Sequence, residues 1–360
     1  MFDMKGAASA ALVLFLATGL LAQVPPPATQ TPANQPPTNQ QPVNQAPTNQ
    51  QGDAPNQPGD TVQVPAQQGQ APSREDDGVF VFKKDVEEVQ LHATVVDDKK
   101  RLVTDLARQD FVVYENGQPQ KISSFDRRDV PVALGIVIDN SGSMRDKRPA
   151  VNQAAINLVK ASNPNDEVFI VNFNDEYYLD QDFTSNLTLL KEGLEKIDSR
   201  GGTALYDAVV ASAEHLKKNA KLDKRVILVV TDGEDNASRE SLEQAIRKLE
   251  AEDGPTVYSI GILGEERQKR ARRALSTLAE RTGGISFFPR DISEVDSITR
   301  AVAHDIRNQY IIGYKPATSK AEGGYRTVKV EAKAPGHGKL FVRTRTGYYA
   351  GQESASAGGQ

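Results

Sequence analysis

The sequence predicts an α/β fold: a doubly wound, mostly parallel sheet with helices on both faces, accompanied by a small β-rich module. Three observations carry this. Strand-like and helix-like patterns alternate from about residue 131 to 308, as in a parallel sheet covered on both sides. The run Val132-Ala133-Leu134-Gly135-Ile136-Val137-Ile138 is almost wholly apolar and reads as a strand buried on both faces. Short alternating segments before and after this region have the period of half-buried strands.

The 360 residues are 38% hydrophobic and 25% charged, and allow two domains plus tails. The net charge of −5 is mild and no basic stripe interrupts it, so nucleic acid is not an expected partner. The absence of cysteine excludes disulfides, thiolate metal sites and cysteine nucleophiles. The four histidines, at 92, 215, 304 and 337, show no metal-type spacing.

Residues 1–22 resemble a secretory signal peptide, with Lys5 ahead of an apolar stretch that contains Leu12-Val13-Leu14-Phe15-Leu16. The stretch is short for a bilayer span. The expected location is therefore secreted, periplasmic or cell envelope, with membrane attachment only if this segment is retained as an anchor. Residues 23–78 are rich in Pro, Gln and Asn, with Asn-Gln recurring at 34, 39, 44 and 49. With almost nothing apolar to bury, they read as a disordered linker.

Residues 79–130 read as a small β module. Val79-Phe80-Val81-Phe82 is a short strand, and Val89, Leu91, Ala93 and Val95 alternate with polar residues, which turns His92 outward to solvent. Asn116-Gly117, where both residues tolerate positive φ, is expected to join strands at 111–114 and 122–125 as a hairpin. The main domain spans 131–308. Its second strand is Val168-Phe169-Ile170-Val171-Asn172-Phe173, with an edge strand around Tyr177-Tyr178-Leu179. Val226-Ile227-Leu228-Val229-Val230 is a buried strand, 257–262 another, and 285–288 the last short one. Helical faces recur at Val151/Ala154/Ala155/Leu158, Leu205/Val209/Ser212/Leu216, Leu242/Ala245/Ile246/Leu249, Leu275/Leu278/Ala279 and Val295/Ile298/Val302/Ile306. Residues 309–349 return to β segments, expected to join the 79–130 module in a shared sheet, and 350–360 form a disordered tail.

The first buried strand ends in Asp139-Asn140-Ser141-Gly142-Ser143. In open α/β sheets ligands sit at the carboxyl ends of strands. Gly201-Gly202-Thr203 opens a later helix, and Asp232 follows another buried strand. If the two strands are neighbours, Asp139, Ser141, Ser143, Thr203 and Asp232 converge. Two carboxylates and three hydroxyls make an oxygen shell suited to a hard cation: Mg2+, or alternatively Mn2+ or Ca2+. One coordination position left open would accept a carboxylate from outside. The competing expectation is helix capping, since Ser and Asp are ordinary N-caps at such turns.

Asp-x-Ser-x-Ser, a distant Thr and a distant Asp resemble the metal-ion-dependent adhesion site of the von Willebrand factor type A domain. The Rossmann-like fold of that family is the one expected here. The flanks Gly-Gly-Thr-Ala-Leu-Tyr-Asp-Ala (201–208) and Thr-Asp-Gly (231–233) are also similar to the family's. The segment Asp110-Phe111-Val112-Val113-Tyr114-Glu115-Asn116-Gly117, with 310–314 and Gly347-Tyr348-Tyr349, resembles the bacterial secreted "VWFA-related" proteins. The resemblance implies direct coordination by the serines, by Thr203 when ligand is bound, and water-mediated contacts from the aspartates. Asp146 stands where integrin-like relatives have an aspartate of a second metal site, but Lys147 follows where they have another acid. A second metal is therefore not expected.

The function implied is a metal-ion-dependent, adhesion-type protein-binding module, its partner a protein offering an Asp or Glu carboxylate. The alternative is a structural or assembly component of the envelope in which the metal only stabilises. No Gly-x-Ser-x-Gly, His-Glu-x-x-His or P-loop pattern is present, so an enzyme is not expected.

Overall fold

The computed structural model of the chain describes residues 88–196, 198–263 and 268–351. The expected signal segment, the linker, the strand at 79–82 and residues 352–360 of the expected tail lie outside these.

In chain order the elements are β1 (Val89–Val96), β2 (Phe111–Glu115), β3 (Gln118–Gln120), β4 (Ile122–Asp126), β5 (Val132–Asp139), α1 (Arg148–Lys160), β6 (Glu167–Phe173), β7 (Tyr177–Thr184), α2 (Leu187–Glu195) and α3 (Leu205–Asn219). There follow β8 (Lys224–Thr231), α4 (Leu242–Leu249), β9 (Thr256–Gly261), α5 (Lys269–Thr282), β10 (Ser286–Phe287), α6 (Val295–Arg307), β11 (Tyr310–Tyr314), β12 (Tyr325–Ala332), β13 (Phe341–Arg343) and β14 (Gly347–Tyr349).

The central sheet has the order β10-β9-β8-β5-β6-β7. All its pairs are parallel except β6–β7, so β7 is an antiparallel edge. Side chains alternate across a strand, and here both faces are covered. Leu134, Ile136 and Ile138 point to the layer of α1, α2 and α6, where Leu158, Leu194 and Val302 are buried. Ala133 and Val137 point to the layer of α3, α4 and α5, where Val209, Leu249 and Leu278 are buried. That double burial is why the strand reads as a continuous apolar run rather than an alternating one.

The flanking strands build two antiparallel four-stranded sheets, β13-β1-β11-β4 and β14-β12-β2-β3. Their inward residues, among them Leu91, Val113, Ile312, Val330 and Tyr348, form one buried cluster. Strands from both ends of the α/β region meet within each sheet: β1 and β4 pair with β11, and β2 pairs with β12. The α/β region thus departs from β4 and returns through its neighbour β11. Two sheets stand where one shared sheet was expected. The hairpin is also corrected. Asn116 (φ 49°) and Gly117 (φ 78°) turn the chain into β3, not into the 122–125 segment. That segment is β4, which pairs with β11 in the other sheet and buries Ile122 in the core the two sheets share.

Polar bonds tie the two parts together. Asp305 on α6 accepts from Tyr258 Oη at 2.6 Å, from Arg343 Nη2 with both oxygens at 2.6 Å, and from Thr94 Oγ1 at 3.4 Å. His92, expected to face solvent, is half-buried near Lys224 and Arg345. Its strand position does face out of the β module's core, but that face is covered by the α/β part. Burial first, and these two positive charges next, lower its pKa to about 3.

Candidate metal centre

β5 and β8 are adjacent and parallel, in register from Val132 opposite Lys224 to Ile138 opposite Val230. Asp139 and Asp232 therefore leave the same sheet edge side by side, where neighbouring strands lie about 4.8 Å apart. Three loops meet there, and each is pinned to another. Asn140 N donates to Phe173 O at 2.6 Å, Arg200 N to Asn140 O at 2.9 Å and Gly142 N to Gly201 O at 3.3 Å. Ser199 Oγ donates to Asn140 Oδ1 at 2.8 Å.

The Thr203 loop is held from two sides. Gly202 N donates to Asp175 Oδ1 at 2.7 Å, and Thr203 N to Asn236 Oδ1 at 2.9 Å. Gly201 has φ 73°, and a Cβ there would lie 2.0 Å from Asp175 Oδ2, so only glycine lets the loop pass this close. Thr203 O in turn accepts from Asn236 N at 3.0 Å.

Ser141, Ser143, Thr203 and Asp232 line one open cleft of about 570 Å³, together with Lys147, Glu234, Asp235, Asn236 and Gln268. Ser141 Oγ lies 3.2 Å from Ser143 Oγ, and Ser143 Oγ donates to Asp232 Oδ1 at 2.8 Å. Asp139 lies beneath the cleft wall and is fully buried. Its Oδ1 accepts from Ser141 N at 2.8 Å and its Oδ2 from Thr231 Oγ1 at 2.5 Å. Burial is the main influence on its carboxyl and raises its pKa; the Thr231 and Ser141 donors pull it down, and the Asp232 charge adds a smaller push upward.

These hydroxyls are not engaged in capping. Ser141 precedes a single 3-10 turn without bonding it through its side chain. The residues that start α1 and α3, Lys147 and Ala204, also make no side-chain cap. The capping expectation therefore does not describe Ser141, Ser143 or Thr203.

The five residues fit a hard cation by their chemistry, and Ser141, Ser143 and Asp232 fit it by spacing as well. Among the described residues no group of three or more His, Cys, Asp and Glu is placed to hold a metal. Of the five candidate residues two are acids and the remaining donors are hydroxyls, an all-oxygen set of the kind magnesium takes. The oxygen separations of 2.8 and 3.2 Å bracket the roughly 2.9 Å between adjacent ligands of an octahedron with about 2.05 Å bonds.

Three contributors escaped the sequence reading. Lys147 Nζ forms an ion pair with Asp232 Oδ2 and donates to Ser143 O at 3.1 Å. A signal for it existed, since Lys147 follows Ser143 by four residues, about one helical turn. Thr231, next to Asp232, holds Asp139. Gln268 Nε2 donates to Asp232 O at 2.9 Å, while its buried Oε1 has no partner among the described residues. Gln268 is remote in sequence and carried no local signal. Asp146 is exposed.

Residues 134–234 match the family model of the von Willebrand factor type A domain. An uncharacterised protein of Synechocystis sp. (strain ATCC 27184 / PCC 6803 / Kazusa) is 23% identical over 172 residues, which are 47% of this chain and 40% of that protein. The chain thus spans about two fifths of the curated relative it matches. Similar solved structures include a von Willebrand factor type A protein from Catenulispora acidiphila, at 13% identity and TM-score 0.44, covering 75% of this chain and 74% of that one. Another is the vWF domain of the type V pili tip protein Mfa5 from Porphyromonas gingivalis, at 13% identity and TM-score 0.41, covering 49% of this chain and 97% of that one.

Proposed function

We propose that this chain, which carries a von Willebrand factor type A domain over the matched residues, is a protein-binding module that grips its partner through a divalent cation. Ser141, Ser143, Thr203, Asp139 and Asp232 would hold the ion, magnesium first, with manganese or calcium as substitutes. When bound, the ion supplies an electrophile for a partner's Asp or Glu carboxylate. Two aspartates balance a dication, and the neutral hydroxyls leave it able to attract that further anion.

One observation carries the reading. Two loops bring the oxygens of Ser141, Ser143 and Asp232 to 2.8–3.2 Å from their neighbours at an open sheet edge, a third loop sets Thr203 in the same cleft, and the hydroxyls there are not used as helix caps. Asp235 Oδ2 accepts from Ser238 Oγ at 2.5 Å and Tyr206 N at 3.0 Å, which ties it to the start of α3. We read the site as one for binding rather than turnover. We read residues 1–22 as an export signal, and that reading supports a location outside the cytoplasm or in the envelope. Among the described residues no helix is long and apolar enough to cross a membrane.

Calorimetric titration with magnesium tests the site: one ion per chain is expected, and none in Asp232→Ala. Equal binding by both proteins would rule this site out. Retention of envelope proteins on the immobilised chain, with magnesium or with chelator, tests the grip. If chelator lowers the melting temperature while a partner stays bound, the ion is structural only.

A further inference from the structure

A carboxylate that is 1% exposed needs a positive partner, and Asp232 has one within its own chain. The Lys147 ammonium sits on Asp232 Oδ2, and the same carboxylate receives Ser143 Oγ on Oδ1 at 2.8 Å. A second bond, from Nζ to Ser143 O at 3.1 Å, fixes the ammonium on the loop that carries both serines. Lys147 Nζ therefore stands among the groups assigned above to the cation. The Lys147 side chain is itself 33% exposed and lines the cleft, so it has a path to solvent that does not disturb the sheet edge.

We propose that Lys147 is a tethered internal counterion that competes with the divalent cation for Asp232. The inference rests on the metal-binding reading of the site. In the metal-free protein the ammonium neutralises Asp232 and holds the serine loop against the β8 edge. A dication and an ammonium cannot share that carboxylate closely, because their repulsion in a partly desolvated cleft is strong. Cation binding therefore requires the lysine to swing out, which weakens the affinity and makes it depend on residue 147. The displaced ammonium stays on the rim of the cleft. There it offsets part of the negative charge of Glu234 and Asp235, which line the same cleft and would otherwise repel an anionic partner group.

The test compares full-length wild type with Lys147→Met, which keeps the stem and loses the charge, and with Lys147→Gln as a second variant should the first fold poorly. Magnesium affinity is read by calorimetry, and melting temperature is read in chelator and in saturating magnesium. The expected result is at least a tenfold gain in magnesium affinity in the variants. They should also melt below wild type in chelator, with the gap closing or reversing in magnesium. Binding by a variant but not by wild type would support the inference in its strongest form. Equal affinities would overturn it and leave the metal site standing. Absence of binding in all three proteins would overturn both the inference and the metal reading.

Discussion

Thr231 Oγ1 donates to Asp139 Oδ2 at 2.5 Å, across the seam between the carboxyl ends of β8 and β5. The bond joins two fully buried side chains, so neither has water to fall back on. Thr231→Val keeps the shape and removes the donor. It should cost about 1–3 kcal/mol, the usual penalty for orphaning a buried polar group. It should also weaken magnesium binding, since Asp139 loses the bond that orients it. Urea denaturation gives the first quantity and calorimetry the second.

Gly135 lies at the centre of β5, where an added Cβ would come within 2.4 Å of Phe169 Cζ. The Phe169 ring cannot yield easily, because it packs edge-on against Phe183 at 4.9 Å and beside His215 at 4.8 Å. Gly135→Ala is therefore an overpacking change and should destabilise by about 1–3 kcal/mol. The expected signature is a lower urea midpoint with an unchanged slope.

The Asp305 cluster joins α6 to the β module through Arg343 and to β9 through Tyr258. Asp305→Ala would leave the Arg343 guanidinium without its carboxylate and the Tyr258 hydroxyl without its acceptor. A loss of about 1–3 kcal/mol is expected, the usual penalty for orphaning a buried polar group, because the half-buried Arg343 keeps some access to water. Asp305→Asn keeps an acceptor for Tyr258 and should lose less. Chemical denaturation of the two variants side by side checks the ordering.

His92 carries a pH prediction. Its folded pKa is depressed from 6.5 to about 3, so between those values the unfolded chain binds a proton that the folded chain refuses. Stability then falls as pH drops below 6.5, by at most about 1.4 kcal/mol per unit from this group. His92→Gln removes the effect. Between pH 7 and pH 5 wild type should lose up to about 2 kcal/mol more than the variant. Parallel curves over that range would contradict the prediction.

Much of this was legible in the residue pattern, and the failures share one cause. The apolar run at 132–138 announced a strand buried on both faces, and the Val151 to Leu158 spacing announced a helix face, because periodicity reports which sides of an element are covered. The Asn116–Gly117 turn was legible from backbone sterics alone. Its partner strand was not. Pairing β2 with β3, and sending β4 to the other sheet, depends on which distant strand offers a complementary edge. His92 failed for the same reason, because a strand's alternation says that a residue leaves one core and not whether a second body covers it.

The sequence by itself determined the strand–helix alternation of the α/β region, the double-sided burial of the central strands, and the oxygen chemistry of Asp139, Ser141, Ser143, Thr203 and Asp232. These follow from local sterics and side-chain type. Only the tertiary structure decided that β5 and β8 are neighbours, that strands from both sides of the α/β region close two sheets over one core, and that Lys147 sits on Asp232. Each of those is a contact between residues far apart in the chain. Such contacts are selected by the packing of the whole core and by the need of a buried carboxylate for a counter-charge, and no short stretch of sequence contains either.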